Sequence, residues 1–324
     1  LEKYQPDIKQ HPGLMKGHLP FLGELLLGHL RYGTQGKNNV EFCHPFIKRD
    51  LMPGKNLALA GNFNLVNTDE LFEQIGVNPG DFQKQSDLAA MMEVVHHYLV
   101  KEDEANPNNA NITNVLKNAT PIFDGGYTIG GLLGNGHSFV MRDAHGIRPA
   151  YYYINNEVIV AASERAAIRT TFNVGENEVQ ELMPGTALIV DDLGNYRIEK
   201  ILDPKERRAC SFERIYFSRG SDEKIYRERI ALGHHLSETV LERIAYDLKN
   251  TIFSYIPNTA EVAFYGLVKG MEEYLNKIKV ERILSWGNDF TPDKLEEMVN
   301  RKIRQEKIAI KDVKLRTFIT EDAN

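Results

Sequence analysis

Cysteine is scarce: Cys43 and Cys210 are the only two in 324 residues. A single bridge is possible, but a disulfide framework is excluded, and a reducing, cytoplasmic setting is expected. Long apolar runs are missing too. None approaches the roughly 18 residues that mark a membrane span, so no membrane partner is expected. The opening stretch, LEKYQPDIKQHPG, lacks the basic-then-apolar pattern of a signal peptide. It also lacks an initiator Met, so the chain is expected to be processed or to be part of a longer protein. Positive charge is not in excess. The net charge of −6 argues against a general nucleic-acid or membrane-surface binder, since both need a basic field. A local basic site remains permitted. There is no internal repeat and no low-complexity tract.

What is present suits a globular protein of about two domains. Hydrophobic residues make up 42% of the chain, enough for a sizeable core. Residues 1–20 read as irregular. LLLGHLRYGTQG reads as a short strand entering a Gly-punctuated turn, and NLALAGNFNLVN (56–67) as a strand followed by a tight loop. Over 86–100, Leu88, Met91, Met92, Val95 and Leu99 share one helical face, with Ser86 or Asp87 as N-cap. Residues 101–120, rich in Asn, Asp and Glu, read as a loop or surface insertion. Short strands follow at 127–133, 138–143, 150–155, 157–163, 186–192 and 197–202, separated by Gly, Asn and Asp turns, which indicates antiparallel sheets. The charged, Pro-containing stretch DPKERRAC (203–210) marks a linker. Two domains are therefore expected, 1–205 and 206–324. In the second, helices at about 225–245 and 260–276 alternate with strands TIFSYIP and KVERILSW, and the helix DKLEEMVNRKIRQEK follows, which reads as α/β.

Three segments could carry chemistry. GHLRYGTQG (28–36) offers Arg31, a planar two-pronged donor for a carboxylate, with Tyr32, the Thr34 hydroxyl and turn amides nearby. GNFNLVN (61–67) offers the Asn62 side-chain amide beside a backbone N–H, a donor pair of the kind that holds an oxyanion. Asp87 could hold an ammonium. Taken singly, each has a plain structural explanation: an Arg in a surface turn, Asn and Gly as turn formers, an Asp as N-cap. Taken together they could grip an α-amino acid at both ends and polarise its side-chain carbonyl. The consecutive pairs His96-His97 and His234-His235 do not share a helix face, so no metal site is read from them.

These segments, followed by RDAHGIRP (142–149), AASERAAI (161–168) and MPGTALIV (183–190), resemble the class II glutamine amidotransferase domain. RDAHGIRP and CSFERIYFSRGSD (210–222) resemble its amidophosphoribosyltransferase branch. SYIPNTAEVAFYG (254–266) and LRTFI (315–319) extend that likeness into a phosphoribosyltransferase domain. The resemblance implies an α+β fold: an N-terminal-nucleophile hydrolase αββα sandwich, then the start of an α/β phosphoribosyltransferase-type domain. It implies that Arg31, Tyr32, Thr34 and Asp87 bind glutamine and that Asn62 and the Phe63 backbone N–H form the oxyanion hole. Arg316, Thr317, Phe318 and Ile319 would belong to a flexible loop over the phosphoribosyl site. The implied substrates are glutamine and phosphoribosyl pyrophosphate with Mg²⁺, the implied product is 5-phosphoribosylamine, and a homo-oligomer is expected. The alternatives are another class II glutamine amidotransferase and a non-catalytic, glutamine-binding regulatory relative.

The sequence departs from the family pattern in places. The nucleophilic cysteine of such domains stands at the mature N-terminus, and here Leu1 stands first, so residues 1–324 alone are expected to be inactive. Cys43 reads as a small buried residue. Phe63 stands where the family usually has Gly, which favours the non-catalytic alternative. VDDLG (190–194) carries two acids like a phosphoribosyl loop but reads as a hairpin turn. An iron–sulfur cluster at Cys210 needs four ligands, which two cysteines do not provide.

Overall fold

A computed structural model describes residues 21–30, 40–78, 80, 86–107 and 109–310. The chain divides into two units at Ala209/Cys210. Each has its own core.

The first unit is built on alternation. In β2 (Leu57–Leu65), Leu57, Leu59 and Leu65 point to one face, and Ala58, Ala60, Asn62 and Asn64 to the other. β2 lies in a six-stranded antiparallel sheet with order β1-β2-β3-β4-β8-β9. The other members are β1 (Phe46–Lys48), β3 (Gly125–Leu133), β4 (Ser138–Arg142), β8 (Thr186–Val190) and β9 (Tyr196–Lys200). The Leu face joins Tyr127, Ile129, Phe139, Met141 and Ile189 in the main core, which helices complete. α2 (Asp87–Ala105) supplies Leu88, Met91, Met92, Val95 and Leu99, all buried, as their 3.6-residue spacing requires. α1 (Thr68–Gln74) adds Leu71 and Phe72.

The opposite face of the sheet packs through Val140 and Leu188 against a second antiparallel sheet of order β6-β5-β7. Its strands are β5 (Tyr151–Ile154), β6 (Ile159–Ala162) and β7 (Gln180–Glu181). α4 (Arg165–Phe172) packs on β5 and β6. The layers run helix, sheet, sheet, helix, an α+β sandwich.

VDDLG is the hairpin turn between β8 and β9. The Asp191 carboxylate accepts from the Leu193 and Asn195 N–H groups at 3.0 and 2.8 Å. Gly194 takes the positive φ of +83° that the turn needs.

Several expectations fail. Residues 101–120 are not an insertion loop: α2 continues to Ala105, and α3 (Ile112–Ala119) buries Ile112, Val115, Leu116 and Ala119 in the main core. Those four sit at i, i+3, i+4 and i+7, a helical stripe obscured by the surrounding Asn residues. Leu26 to Leu30 form no strand. GNFN is not a loop, because β2 runs straight through it. Cys43 is exposed, not buried.

The second unit begins with Arg229 of α5 (Glu223–Arg243) donating to the Arg214 and Ser218 carbonyls, which ties down the CSFERIYFSRG segment. α5 lies against α6 (Glu261–Ser285) at a glycine seam. A Cβ on Gly233 would strike the Ala263 carbonyl oxygen, and one on Gly266 the Ile230 carbonyl oxygen. Leu241, Phe264, Val268, Met271 and Leu275 form a core with Phe253 and Ile303. The strand expected at KVERILSW is absent, since those residues continue α6. Val280, Ile283 and Leu284 also fit a helical spacing, and extending a formed helix costs little. TIFSYIP does not form the expected strand either. It makes one parallel bridge, Phe253 to Gln305, so β pairing in this unit starts in the parallel sense but is confined to that bridge among the described residues.

Candidate active site at the edge of the larger sheet

The direction of each N–H along β2 follows from its neighbours. The Val66 N–H donates to the Asp124 carbonyl at 2.9 Å, and the Gly134 N–H to the Asn56 carbonyl at 3.0 Å. Even-numbered residues of β2 therefore bond towards β3 and odd-numbered ones point the other way. Tyr127 lies opposite Phe63 in register. Its N–H and C=O are both engaged by Asp143, at 3.2 and 2.9 Å. The Phe63 N–H consequently points away from β3. On that side β1 pairs with β2 only as far as Phe46 opposite Leu59, so the Phe63 N–H faces the edge beyond the end of β1.

The Phe63 side chain goes elsewhere. It packs against the main core on the helix side of the sheet, and its backbone is extended, not left-handed. The glycine two residues earlier is needed for a different reason: a Cβ on Gly61 would collide with the Thr128 carbonyl oxygen.

Leu65 shares the direction of Phe63, and its N–H donates to the Asp87 carboxylate at 2.9 Å. Asp87 is the first residue of α2, and Ser86, at the N-cap position, makes no side-chain capping bond. Burial pushes the Asp87 pKa above the ordinary carboxylate value, and the hydrogen bonds from Leu65 and its own backbone only partly oppose this. Phe63 and Leu65 are two residues apart on one extended strand, about 6–7 Å. That is comparable with the reach of glutamine from its side-chain amide to its α-amino group.

Asn62 projects from the other face. It pairs in register with Thr128, and Thr128 with Arg142, making a polar row across three strands. Arg142 is 2% exposed. Its guanidinium donates to the Arg148 carbonyl (2.7 Å), the Gly146 carbonyl (3.0 Å), the Leu182 carbonyl (2.6 Å) and the Glu181 carboxylate (2.8 Å). Asp143 closes the same turn by accepting from His145 and Ile147 at 2.9 and 3.0 Å. RDAHGIRP, which carried family likeness but no role, is thus a clamped turn beside the Asn62 row. Arg and Asp adjacent to a Gly-containing turn were the available signal.

The structure therefore brings Asn62, Phe63 and Asp87 to one end of β2. Arg31, Tyr32 and Thr34, and the Arg316, Thr317, Phe318 and Ile319 loop, lie outside the described residues. Two residues that sequence reasoning missed are His44 and His29, which stack beside Phe63: His44 lies 5.4 Å from the Phe63 ring and 4.2 Å from the His29 ring, centroid to centroid.

Residues 44–170 match the family model of the glutamine amidotransferase domain. Among known proteins, the amidophosphoribosyltransferase of Methanothermobacter thermautotrophicus is 29% identical over 219 residues, covering 66% of this chain and 43% of that protein. That of Bacillus subtilis is 32% identical over 200 residues, covering 61% and 38%. The solved structure of glutamine phosphoribosylpyrophosphate amidotransferase from B. subtilis, complexed with ADP and GMP, matches with a TM-score of 0.58 at 24% identity, over 75% of this chain and 49% of that one. A structure described as the allosteric regulatory enzyme of purine biosynthesis matches with a TM-score of 0.60 at 25% identity, over 75% and 48%.

The two-sheet sandwich has the N-terminal-nucleophile hydrolase fold, and residues 44–170 within it match the glutamine amidotransferase domain. More narrowly, the curated relatives and solved structures to which the chain is similar are amidophosphoribosyltransferases. The chain spans about half the length, or less, of the relatives it matches. No described helix is long and apolar enough to cross a membrane.

Proposed function

We propose that this chain provides the glutamine site, and the beginning of the acceptor domain, of an enzyme that hydrolyses glutamine and passes the ammonia to phosphoribosyl pyrophosphate. The observation that carries this is the common edge of β2, where the Phe63 N–H and the Asp87-bound Leu65 N–H point the same way at glutamine spacing. In this reading Arg31 takes the α-carboxylate, Tyr32 and Thr34 shape the pocket, and Asp87 takes the α-ammonium. A cationic ligand would relieve the cost of keeping that carboxylate ionised and half-buried.

The family's N-terminal cysteine supplies the nucleophile. Its sulfur adds to the glutamine side-chain carbon, and the carbonyl electron pair moves to oxygen. The resulting oxyanion is held by the Asn62 side-chain amide and the Phe63 N–H. Re-forming the carbonyl expels ammonia, which takes the proton released by the thiol. Water then cleaves the thioester to glutamate. In the second domain ammonia displaces pyrophosphate, giving 5-phosphoribosylamine. Mg²⁺ enters with the pyrophosphate of the substrate, and Arg316, Thr317, Phe318 and Ile319 belong to the loop over that site. The enzyme works in the cytoplasm as a homo-oligomer.

The test is stoichiometric. The full-length protein, given glutamine and phosphoribosyl pyrophosphate, should release glutamate and pyrophosphate one for one. Glutamate release that ignores phosphoribosyl pyrophosphate would favour another class II amidotransferase. Glutamine binding without release would favour a regulatory relative.

A further inference from the structure

Phe63 departs from the family's glycine, and the residues around it show how the departure is accommodated. The His44 ring lies nearly parallel to the Phe63 ring, 5.4 Å away with 18° between planes. His44 also meets the edge of Phe46, the first residue of β1, at 5.8 Å, and the His29 ring at 4.2 Å and 38°. Ring pairs are favoured at roughly 4.5–7 Å when offset or edge-on, and the contacts with Phe63 and Phe46 fall in that range. One imidazole thus ties together β1, β2 and the 21–30 segment. The tie has chemical meaning because of what each end adjoins. Phe63 carries the N–H that faces the open strand edge. His29 stands two residues before Arg31 in the chain.

We propose that His44 is a positioning residue for glutamine hydrolysis: by stacking on Phe63 it fixes the direction of the Phe63 N–H and registers that donor with the segment leading to Arg31. This rests on the functional reading above. A glycine in place of Phe63 has no ring to hold and places its N–H by backbone alone. In both cases pairing with β3 sets the side to which the amide points, but a phenylalanine has a second anchor in its ring, so whatever grips the ring also restrains the amide. Phe63 needs support from both sides of the sheet edge: the main core holds one flank of its ring and His44 holds another. His44 itself touches no reacting atom in this scheme.

The experiment uses the full-length protein and compares His44→Ala and His44→Phe with wild type, with glutamine and with ammonium as nitrogen source. Loss of the stack should misdirect one of two oxyanion donors. His44→Ala should lower kcat with glutamine by about 10- to 100-fold, less than the roughly 10²–10³ for outright removal of a donor. Its KM for glutamine should stay within about threefold, because the Arg31 and Asp87 side chains that bind the two ends of glutamine are still present and only their register with the Phe63 N–H is loosened. The ammonium-dependent rate should stay within about twofold, which also shows that the variant is folded. His44→Phe, which keeps a ring but cannot titrate, should recover most of the glutamine rate. An unchanged glutamine kcat in His44→Ala would overturn the proposal. So would an equal loss with both nitrogen sources, the mark of a merely structural residue, or a His44→Phe variant as impaired as His44→Ala. If wild type makes product from ammonium but not from glutamine, the functional reading itself fails and takes this inference with it. Only the loss of glutamine kcat in the alanine variant, in an otherwise active wild type, isolates His44.

Discussion

Leu65 and Asp87 are joined across the open edge of the larger sheet: the Leu65 N–H donates to the Asp87 carboxylate at 2.9 Å, fixing the start of α2 against the end of β2. That one bond places a half-buried carboxylate on the same side as the Phe63 N–H. Burial raises the Asp87 pKa above its ordinary value of 3.8. A folded-state value above the unfolded one means that the ionised group opposes folding. The cost is present in full above the folded value and vanishes as pH falls below 3.8.

Asp87→Asn keeps an acceptor for Leu65 and removes the charge. Its thermal midpoint at pH 7 should equal or exceed that of wild type, and the difference should vanish in acid. In the full-length enzyme its glutamine kcat/KM should fall by about 10- to 100-fold, the cost of a lost charge-assisted contact. Melting curves at pH 7 and pH 3 and glutamine kinetics check this. A variant less stable at pH 7 than at pH 3, relative to wild type, would show that the carboxylate is structural.

Arg142→Leu should cost about 3–5 kcal/mol, because it strands three carbonyls and leaves the Glu181 carboxylate with only the exposed Arg207 as partner. Urea unfolding of the full-length protein reads this as a fall in midpoint. The pH dependence has a definite sign. Burial pushes the Glu181 pKa up, but the hydrogen bond and charge of Arg142, aided by Arg207, outweigh it and hold the group below its ordinary 4.5. The stability from this pair is therefore present above 4.5 and lost as pH falls through the folded value. Glu181→Gln should remove that part of the acid sensitivity. An acid limb unchanged in Glu181→Gln would count against it.

Gly233→Ala should destabilise the second unit, although alanine is the better helix former by about 1 kcal/mol. The added methyl meets the Ala263 carbonyl oxygen of the facing helix, and overpacking of this kind costs about 1–3 kcal/mol or more. Proteolysis or hydrogen exchange should show loosening confined to residues of α5 and α6. A variant as protected as wild type would mean that the helices can separate at no cost.

Much of the first unit was legible in the sequence because its strands are short apolar runs and the turns between them carry Gly, Asn and Asp at the places required. The turn at Asp191 to Asn195 is a case where local chemistry outweighed a tempting pair of acids. Residues 101–120 misled because the polar residues on either side of Pro107 hid a four-residue apolar stripe; Pro107 itself marks the break between α2 and α3. KVERILSW misled because a β-branched and aromatic composition says strand, whereas the helix already running from Glu261 sets the periodicity. Of the site, Asn62 and Asp87 were legible as residue types. The strand edge that Asp87 shares with the Phe63 N–H was not, because it depends on which N–H groups β3 takes, a tertiary fact. His44 left no signal at all: its partners Phe63 and His29 are distant in sequence.

The most direct measurement replaces Asn62 by Ala in the full-length protein and follows product formation with glutamine and with ammonium side by side. If β2 carries the oxyanion donors, the glutamine-dependent kcat falls by about 10²–10³ while the ammonium-dependent rate is preserved. Equal loss in both reactions, or no loss with glutamine, would contradict that placement of the active site.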